Sequence, residues 1–94
     1  MALELQHDPG QGKYFALIDG QEAHVLYDKA ADRRLDFHHT FVPEELRGRG
    51  IAEDLVRQAL EDARAHGFEV IPTCPFVHAF VKRHPELQDV APLT

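Results

Sequence analysis

Residues 42–52 of the chain read Val-Pro-Glu-Glu-Leu-Arg-Gly-Arg-Gly-Ile-Ala, and they separate two different patterns of apolar residues. Upstream of this segment, apolar residues alternate with polar ones, which predicts β-strands. Downstream, a long amphipathic helix that ends near residue 66 is predicted from apolar residues at four-residue spacing: Ile51, Leu55, Ala59 and Ala63. The segment therefore lies at a strand-to-helix junction.

Four strands are predicted upstream, and a tight turn joins two of them. The first is a short strand that contains Leu3 and Leu5 and is ended by residues 7–10. The other three are residues 13–18, residues 21–27 and residues 35–42. Asp19-Gly20 connects the second strand to the third, because a type I′ hairpin turn needs positive φ at both central residues. The polar residues 28–34 predict a loop before the fourth strand, which Pro43 ends.

The pattern after the long helix returns to a strand and then to a second helix. Residues 68–71 are a short apolar strand, and Pro75 opens a helix that closes at His84-Pro85. The tail, residues 86–94, gives no clear signal. The order β-β-β-β-α-β-α predicts an α/β (α+β) fold with a mixed, mostly antiparallel sheet and a βαβ crossover. At 94 residues, the chain fits a single domain.

The composition and the charge exclude several classes of protein. With a formal net charge of −6, the chain lacks the basic surface that a nucleic-acid binder needs. No apolar run approaches the roughly 20 residues that span a bilayer, and the N-terminus does not have the pattern of a signal peptide. Its single cysteine, Cys74, suits a reducing compartment. We therefore expect a cytoplasmic protein with no nucleic-acid or membrane partner.

The glycine-rich junction has the features of a site for a compact anion. Gly48 and Gly50 allow a tight turn and a close approach of a ligand to the main chain. The first N–H groups of the following helix have no intrahelical partner, and Arg47 and Arg49 add cationic donors suited to phosphate. The segment is not a Walker loop, which requires Lys-Ser/Thr after the last glycine, nor a dinucleotide fingerprint, since Glu53 replaces the required Gly or Ala. On spacing alone, an ordinary surface turn is an equally good interpretation.

The same segment resembles the Arg/Gln-x-x-Gly-x-Gly/Ala signature of the GNAT superfamily of N-acetyltransferases, through residues 47–52 preceded by Val42-Pro43. Residues 39–43 and 70–76 are similar to a very short, single-domain subgroup of that superfamily, and the resemblance covers nearly the whole chain. It implies that the fourth and fifth strands splay apart to admit the pantetheine and acetyl group of acetyl-coenzyme A. It also implies that this co-substrate binds at Val42, Arg47, Gly48, Arg49, Gly50, Ile51 and Ala52, with the amides of residues 48–52 on its pyrophosphate.

Two residues near that opening are candidates for catalysis. Cys74 falls at or next to the N-cap of the second helix, where the helix dipole favours negative charge. It is a candidate to accept the acetyl group covalently or to donate a proton to the departing thiolate, and the alternative is a buried structural residue. His39, on the fourth strand, is the candidate base, although a lone strand histidine is more often structural. Strand alternation predicts that His38 points to the opposite face.

The chain also departs from the family pattern. Phe41 replaces an acidic residue that is frequent in the subgroup, and a tight turn at residues 9–11 replaces the helices that wall the acceptor site. Phe76 and Phe80 lie on the helix where larger members carry a tyrosine acid, and both are expected in the core. No metal site is expected, because the histidines His24, His78 and His84 do not form a ligand spacing with each other or with Cys74.

Three hypotheses for the function follow from these observations. The first is transfer of an acetyl group from acetyl-coenzyme A to a small-molecule or peptide amine, for which the net negative charge favours a cationic acceptor. The second is a non-catalytic module that binds acyl-coenzyme A. The third is an interaction domain that keeps the fold without a ligand.

Overall fold

The computed structural model describes residues 3–93, which form a five-stranded sheet and two α-helices. In chain order the elements are β1 (Gln6–Asp8), β2 (Lys13–Ile18), β3 (Gln21–Ala31), β4 (Arg34–Phe41), α1 (Ile51–Ala65), β5 (Glu69–Ile71) and α2 (Pro75–Arg83), with short 3₁₀ turns at Glu44–Leu46 and Pro85–Leu87. The strands lie side by side in chain order, the first four antiparallel and β5 parallel to β4. The predicted fold class, element order and βαβ crossover are confirmed.

Both helices pack on the same face of the sheet. Alternate strand residues such as Tyr14, Val25 and Phe37 are at most 1% exposed and share one core with the helices. The helices contribute their apolar stripes to it: Leu55, Val56, Ala59, Leu60 and Ala63 from α1, and Val77, Phe80 and Val81 from α2. The intervening strand residues point to the other face, which we call the open face because no helix of residues 3–93 covers it.

The first strand lies later in the chain than predicted. Leu3 and Leu5 pack against the core but are not in a strand, and pairing with β2 covers Gln6–Asp8. The backbone of Leu3 bonds to α1 instead: its N–H donates to Asp54, and its carbonyl oxygen accepts from Gln58. The prediction was wrong because helix side chains satisfy polar groups that a neighbouring strand would otherwise take, and apolar alternation does not reveal this.

The predicted loop at residues 28–34 is mostly strand. β3 continues to Ala31 and β4 begins at Arg34, so Asp32 and Arg33 alone turn the chain. The side chains at this tip are exposed, and a backbone ladder needs no apolar residues there. The prediction was wrong because polarity reports the exposure of these residues and not their backbone hydrogen bonds.

Two tight turns hold the antiparallel strands together. At the predicted Asp19-Gly20 turn, φ is 52° and 75°, so both central residues have the left-handed conformation that a hairpin turn requires. Residues 9–12 turn just as tightly between β1 and β2, and the Gly12 carbonyl oxygen accepts the Tyr27 N–H at 2.8 Å. A side chain at Gly12 would collide with the Tyr27 carbonyl oxygen. This turn leaves no helix over the open face.

His7 anchors β1 to the rest of the fold. Its ring stacks on Tyr14 with 4.0 Å between the ring centroids, and its Nε2 lies 2.5 Å from the Tyr27 hydroxyl oxygen. Asp62 on α1 accepts a hydrogen bond from the Tyr14 hydroxyl at 2.8 Å and lies 3.9 Å from Nδ1 of His7. Burial lowers the pKa of His7 below its usual value, and this effect exceeds the opposing effect of Asp62.

We expect His7 to make the stability of the fold depend on pH. Because its pKa is lower in the folded than in the unfolded chain, protons bind preferentially to the unfolded chain. The stability present above about pH 6.5 is therefore lost as the pH falls through the folded-state pKa of His7. His7→Phe keeps a ring for stacking and removes the titration. Urea unfolding between about pH 7.5 and 5.5 should show a smaller loss of stability in His7→Phe than in the wild type. An equal loss, or the same reduction in the control His78→Phe on α2, would contradict this.

Candidate functional site

Strands β4 and β5 separate after a short stretch of pairing. Their register covers residues 34–36 and 69–71, and one further bond joins the Cys74 N–H to the Phe37 carbonyl oxygen at 2.8 Å. Pro72 has no N–H to continue the ladder, and the Thr73 N–H turns back to the carbonyl oxygen of Ile71. The rest of β4, residues 38–41, runs on without β5 beside it. The strands therefore open into the splay that the family resemblance implies.

The junction between β4 and α1 presents free backbone donors next to this splay. Gly48 and Gly50 have φ of 80° and 74°, a conformation that side-chain-bearing residues rarely adopt, and side chains there would meet nothing within 4 Å. Gly50 is the N-cap of α1, and the first helical bond runs from the Asp54 N–H to its carbonyl oxygen. The preceding N–H groups of α1 thus have no partner within the helix and are available to an anion.

The two arginines of the junction are already engaged in the protein. Nε of Arg47 donates to the Val42 carbonyl oxygen at 2.9 Å, which braces the loop. Nη1 of Arg49 lies 3.2 Å from the Asp19 carboxylate in the β2–β3 turn, and both side chains are exposed. An exposed ion pair of this kind contributes little net free energy, so a phosphate is able to replace Asp19 as the partner of Arg49.

Two adjoining cavities connect the junction to the splay, and we call them together the junction cavity. One has a volume of about 360 Å³ and the other of about 310 Å³. Their walls include all of the predicted donor-site residues except Arg49: Val42, Arg47, Gly48, Gly50, Ile51 and Ala52. Arg49 instead lines a separate depression beside Leu17 and Ile18. The structure thus brings six of the seven predicted residues around one opening.

The junction cavity has walls that the sequence analysis missed, among them Phe76 and Glu53. Phe76 on α2 lines both of its parts, whereas Phe80 is in the core as expected. Glu53 in the first turn of α1 also lines it and places a negative charge beside the free N–H groups. Its helical position was a usable signal, because an acidic residue in the first turn stabilises a helix but opposes a bound anion.

Cys74 lies at the base of the splay, on the helix side of β4. It is the N-cap of α2, as the sequence predicts, and its side chain is 6% exposed. Its Sγ lies 3.5 Å from Oγ1 of Thr40, a polar neighbour that the sequence analysis did not identify. His39 lies on the opposite side of β4, on the open face. The backbone of β4 therefore separates the two candidate catalytic residues. They do not form a catalytic pair.

A β-bulge at His38 disturbs the alternation of β4. Leu26 is opposite His39 and Tyr27 is opposite Phe37, so His38 is an extra residue. Both histidines are exposed, and Nε2 of His38 lies 3.6 Å from the Asp28 carboxylate. Regular alternation, which predicted opposite faces for His38 and His39, therefore does not apply at this position. Because of the extra residue, the alternation of β4 shifts by one position, and Thr40 then points to the core face and toward Cys74.

A hydrogen-bonded pair on the open face accompanies His39. Glu22 accepts from Nδ1 of His24 at 2.8 Å and from Lys13 at 3.1 Å. Burial alone raises the pKa of the Glu22 carboxyl, but the bonds from Lys13 and His24 exceed that effect and lower it. The His24 ring lies 6.0 Å from that of His39, between ring centroids. The sequence analysis did not use the two-residue spacing of Glu22 and His24, which places both on one face of β3, and the approach of His24 to His39 crosses from β3 to β4.

Residues 3–93 hold no group of three or more His, Cys, Asp or Glu side chains placed to bind a metal ion. Within the same range, neither helix has the length and apolar character needed to span a bilayer.

Several known proteins are similar to this chain in sequence or in structure. A family model described as GCN5-related N-acetyl-transferase matches residues 13–90, from the start of β2 to beyond α2. Protein NATD1 of Bos taurus is 36% identical over 90 residues, covering 88% of this chain and 75% of that protein. Protein NATD1 of Homo sapiens is 33% identical over 90 residues, with the same coverage of 88% and 75%. The solution NMR structure of a GCN5-like protein from Staphylococcus aureus has a TM-score of 0.73 and 25% identity, and covers 95% of this chain and 87% of that one.

We expect Glu53→Gln to have opposite effects on the helix and on the anion site. Losing the acidic residue from the first turn of α1 should lower the free energy of unfolding by about 0.3–1 kcal/mol. Removing its charge from the junction cavity should tighten binding of inorganic pyrophosphate roughly threefold at low salt. Urea unfolding and calorimetric titration measure the two effects. Glu61→Gln, further along the same helix, is the matched control, and equal effects of the two variants on pyrophosphate would contradict the assignment.

Proposed function

The chain belongs to the GCN5-related N-acetyltransferase family, and from that premise we propose that it transfers an acetyl group from acetyl-coenzyme A to a primary amine. It is a short acetyltransferase-like domain; its dependence on acetyl-coenzyme A and the identity of the amine are part of the proposal. A cytoplasmic location, in keeping with the free thiol of Cys74, is part of it as well.

The observation that carries this proposal is the continuity of the junction cavity with the splay. The free N–H groups at the start of α1 and Arg47 suit a pyrophosphate, and Thr40, Val42 and Phe76 line the way toward Cys74. A long, thin molecule with an anionic end and an apolar arm fits this succession of polar and apolar walls. Coenzyme A has that form, whereas a simple phosphate would leave the inner part of the opening unused.

Acetyl transfer requires two proton movements, and the chain offers a candidate for each. The amine nitrogen forms a bond to the acetyl carbon as the bond from that carbon to sulfur breaks, so the amine gives up a proton and the thiolate takes one. His39, exposed on the open face beside the splay, is in place to accept the proton from the amine. Cys74, on the helix side with its thiol near Thr40, is in place to supply a proton to the thiolate.

The burial of Cys74 favours proton donation over a covalent acetyl intermediate. With 6% exposure and Thr40 within 3.5 Å, its sulfur has little room for an acetyl group. The open face lies on the other side of β4, so an acceptor bound there would reach a donor thioester in the splay more directly than an acetylated Cys74. Direct transfer is the simpler course, and positioning of the two substrates supplies most of the rate.

A non-catalytic acyl-coenzyme A module is the second candidate function. The tight turn at residues 9–12 leaves the acceptor side of the sheet without walls, and an enzyme normally excludes water from the reacting atoms. Both candidates require binding of coenzyme A and differ in turnover.

We expect acetyl-coenzyme A to bind saturably in a calorimetric titration of the full chain. Arg49→Gln should weaken binding about three- to tenfold, because it removes a cation that is able to exchange its partner for a phosphate. Arg83→Gln at the end of α2, far along the chain from the junction, serves as the matched control and should leave the affinity unchanged. Failure to bind at near-millimolar ligand would contradict both candidate functions.

Variants of His39 and Cys74 should separate binding from turnover. The rate of coenzyme A release with a panel of small amines should fall about a hundredfold in His39→Gln, because loss of a general base has an effect of this size. The affinity for acetyl-coenzyme A should be retained. Cys74→Ser should also lower turnover while leaving affinity intact, and mass spectrometry of the wild type without an amine should detect no acetyl group on Cys74. An acetylated Cys74 would establish the covalent route instead. Binding without turnover for any amine would favour the non-catalytic module.

A further inference from the structure

Three side chains form a row of rings across the open face. Phe15 on β2 is directly opposite His24 on β3, and His24 is directly opposite Phe41 on β4. The centroids of the His24 and Phe41 rings are 5.4 Å apart. With strands spaced about 4.8 Å apart, this aromatic row (Phe15, His24 and Phe41) spans roughly 10 Å. Its Phe41 end lies at the splay, beside the junction cavity.

The open face is where the fold exposes large apolar side chains. Among residues 3–93, the two large apolar side chains left exposed are Leu17, at 60%, and Phe41, at 39%. Both are on the open face, because Leu17 follows Phe15 in the strand alternation of β2 and Phe41 is opposite His24. Phe41 lines the junction cavity, and an apolar side chain exposed at a cavity is suited to contact a ligand.

The charges around the aromatic row select against a second cation. Nζ of Lys13 lies 4.7 Å from the centroid of the Phe15 ring and 3.1 Å from the Glu22 carboxylate. Both oxygens of that carboxylate accept from Lys13, and one of them also accepts from His24, so neither is free to pair with a second cation. The ammonium of Lys13 therefore stands over the end of the row that is distant from the splay. A second ammonium at that end would find no free carboxylate and would lie close to the ammonium of Lys13, which is unfavourable.

We propose that the aromatic row binds the acceptor, and that the acceptor is a monoamine carried on an aromatic ring by a short tether. Its ring lies over His24 and Phe41, its amine lies at the splay near His39, and its uncharged end points toward Phe15 and Lys13. The role of the amine rests on the acetyl transfer proposed above. The net negative charge of the chain favours cationic ligands in general. The carboxylates of Asp28 and Asp36, however, lie beyond the bulge at His38, so they are outside the row and do not attract a second cation to it.

The dimensions of the row fit a small molecule better than a protein. A span of roughly 10 Å accommodates one ring and a two-carbon tether. A stable protein–protein contact buries about 800 Å² on each partner, far more than this row presents. Stacking on aromatic side chains supplies affinity without a deep pocket, which suits a face that has no covering helix.

The direct test is a titration of the ¹⁵N-labelled full chain with three amines, followed by NMR. The probes are 2-phenylethylamine, n-butylamine, which lacks the ring, and 1,4-diaminobutane, which carries a second charge. We expect 2-phenylethylamine to shift the amide signals around Phe15, His24 and Phe41, and to bind about tenfold more tightly than either of the other two. Equal affinities for the three amines, or shifts confined to other parts of the chain, would overturn the proposal.

Variants of the row give a second, independent measurement. Phe41→Ala should remove the preference for the ring, and Phe41→Tyr should keep it, because Phe41 is exposed enough for both changes to leave the core intact. Lys13→Gln should raise the affinity for 1,4-diaminobutane to that for n-butylamine or above it, because it frees the Glu22 carboxylate. His78→Ala removes an exposed imidazole from α2 and should change neither preference. Ring preference that survives in Phe41→Ala would overturn the proposal.

These outcomes are distinguishable from failure of the proposed acetyl transfer. A ring preference that depends on Phe41, together with no binding of acetyl-coenzyme A, would establish the amine site and overturn the transfer reaction. Binding of acetyl-coenzyme A with equal turnover of all three amines would support the transfer and overturn the aromatic row as the acceptor site. Signals of the row that shift with protein concentration alone would show that a second copy of the chain covers it, which also overturns the proposal.

Discussion

The separation of β4 from β5 is the constraint on which the rest of the site depends. Parallel strands of a sheet normally continue to pair, but Pro72 has no N–H to offer and the Thr73 N–H bonds back to Ile71. The ladder therefore ends at one last bond from Cys74 to Phe37. Everything that the site uses is placed relative to that point: the thiol of Cys74 at its base, the free N–H groups of α1 at its mouth, and the ring of Phe41 on its other side.

The second determinant is that the sheet is covered on one face. A β-strand that faces water on one side alternates apolar and polar residues, and β3 does so from Glu22 to Val25, whereas on β2 only Lys13 is polar. Phe15, Leu17 and Leu26 are apolar residues on the open face, on the two strands that precede β4. Because the turn at residues 9–12 is too short to carry a helix, these residues are left for a ligand to contact.

The sequence predicted what depends on local chemistry and missed what depends on long-range contacts. The junction, the hairpin at Asp19-Gly20, both helices and the N-cap position of Cys74 each follow from neighbouring residues, and the structure has them as predicted. The start of β1, the neighbour Thr40 of Cys74 and the approach of His24 to His39 depend on residues distant in the chain or on a bulge. Apolar periodicity contains no information on which carboxylate Leu3 bonds to, nor on the extra residue that His38 inserts into β4.

The distribution of charge shows why net charge is a poor guide to the ligands of this fold. The chain carries a formal charge of −6, yet backbone N–H groups and Arg47 line the proposed donor site together with a single carboxylate, that of Glu53. At the proposed acceptor site, Lys13 compensates Glu22 and stands over Phe15. Some of the acidic residues stabilise helix ends, as Glu53 does, and others are engaged in ion pairs, such as Asp89 with Arg64. A field summed over the whole surface steers association, but within a few ångströms the nearest charges decide which end of a ligand is tolerated. Discrimination between a monoamine and a diamine therefore depends on Lys13 and Glu22 and not on the overall acidity of the protein.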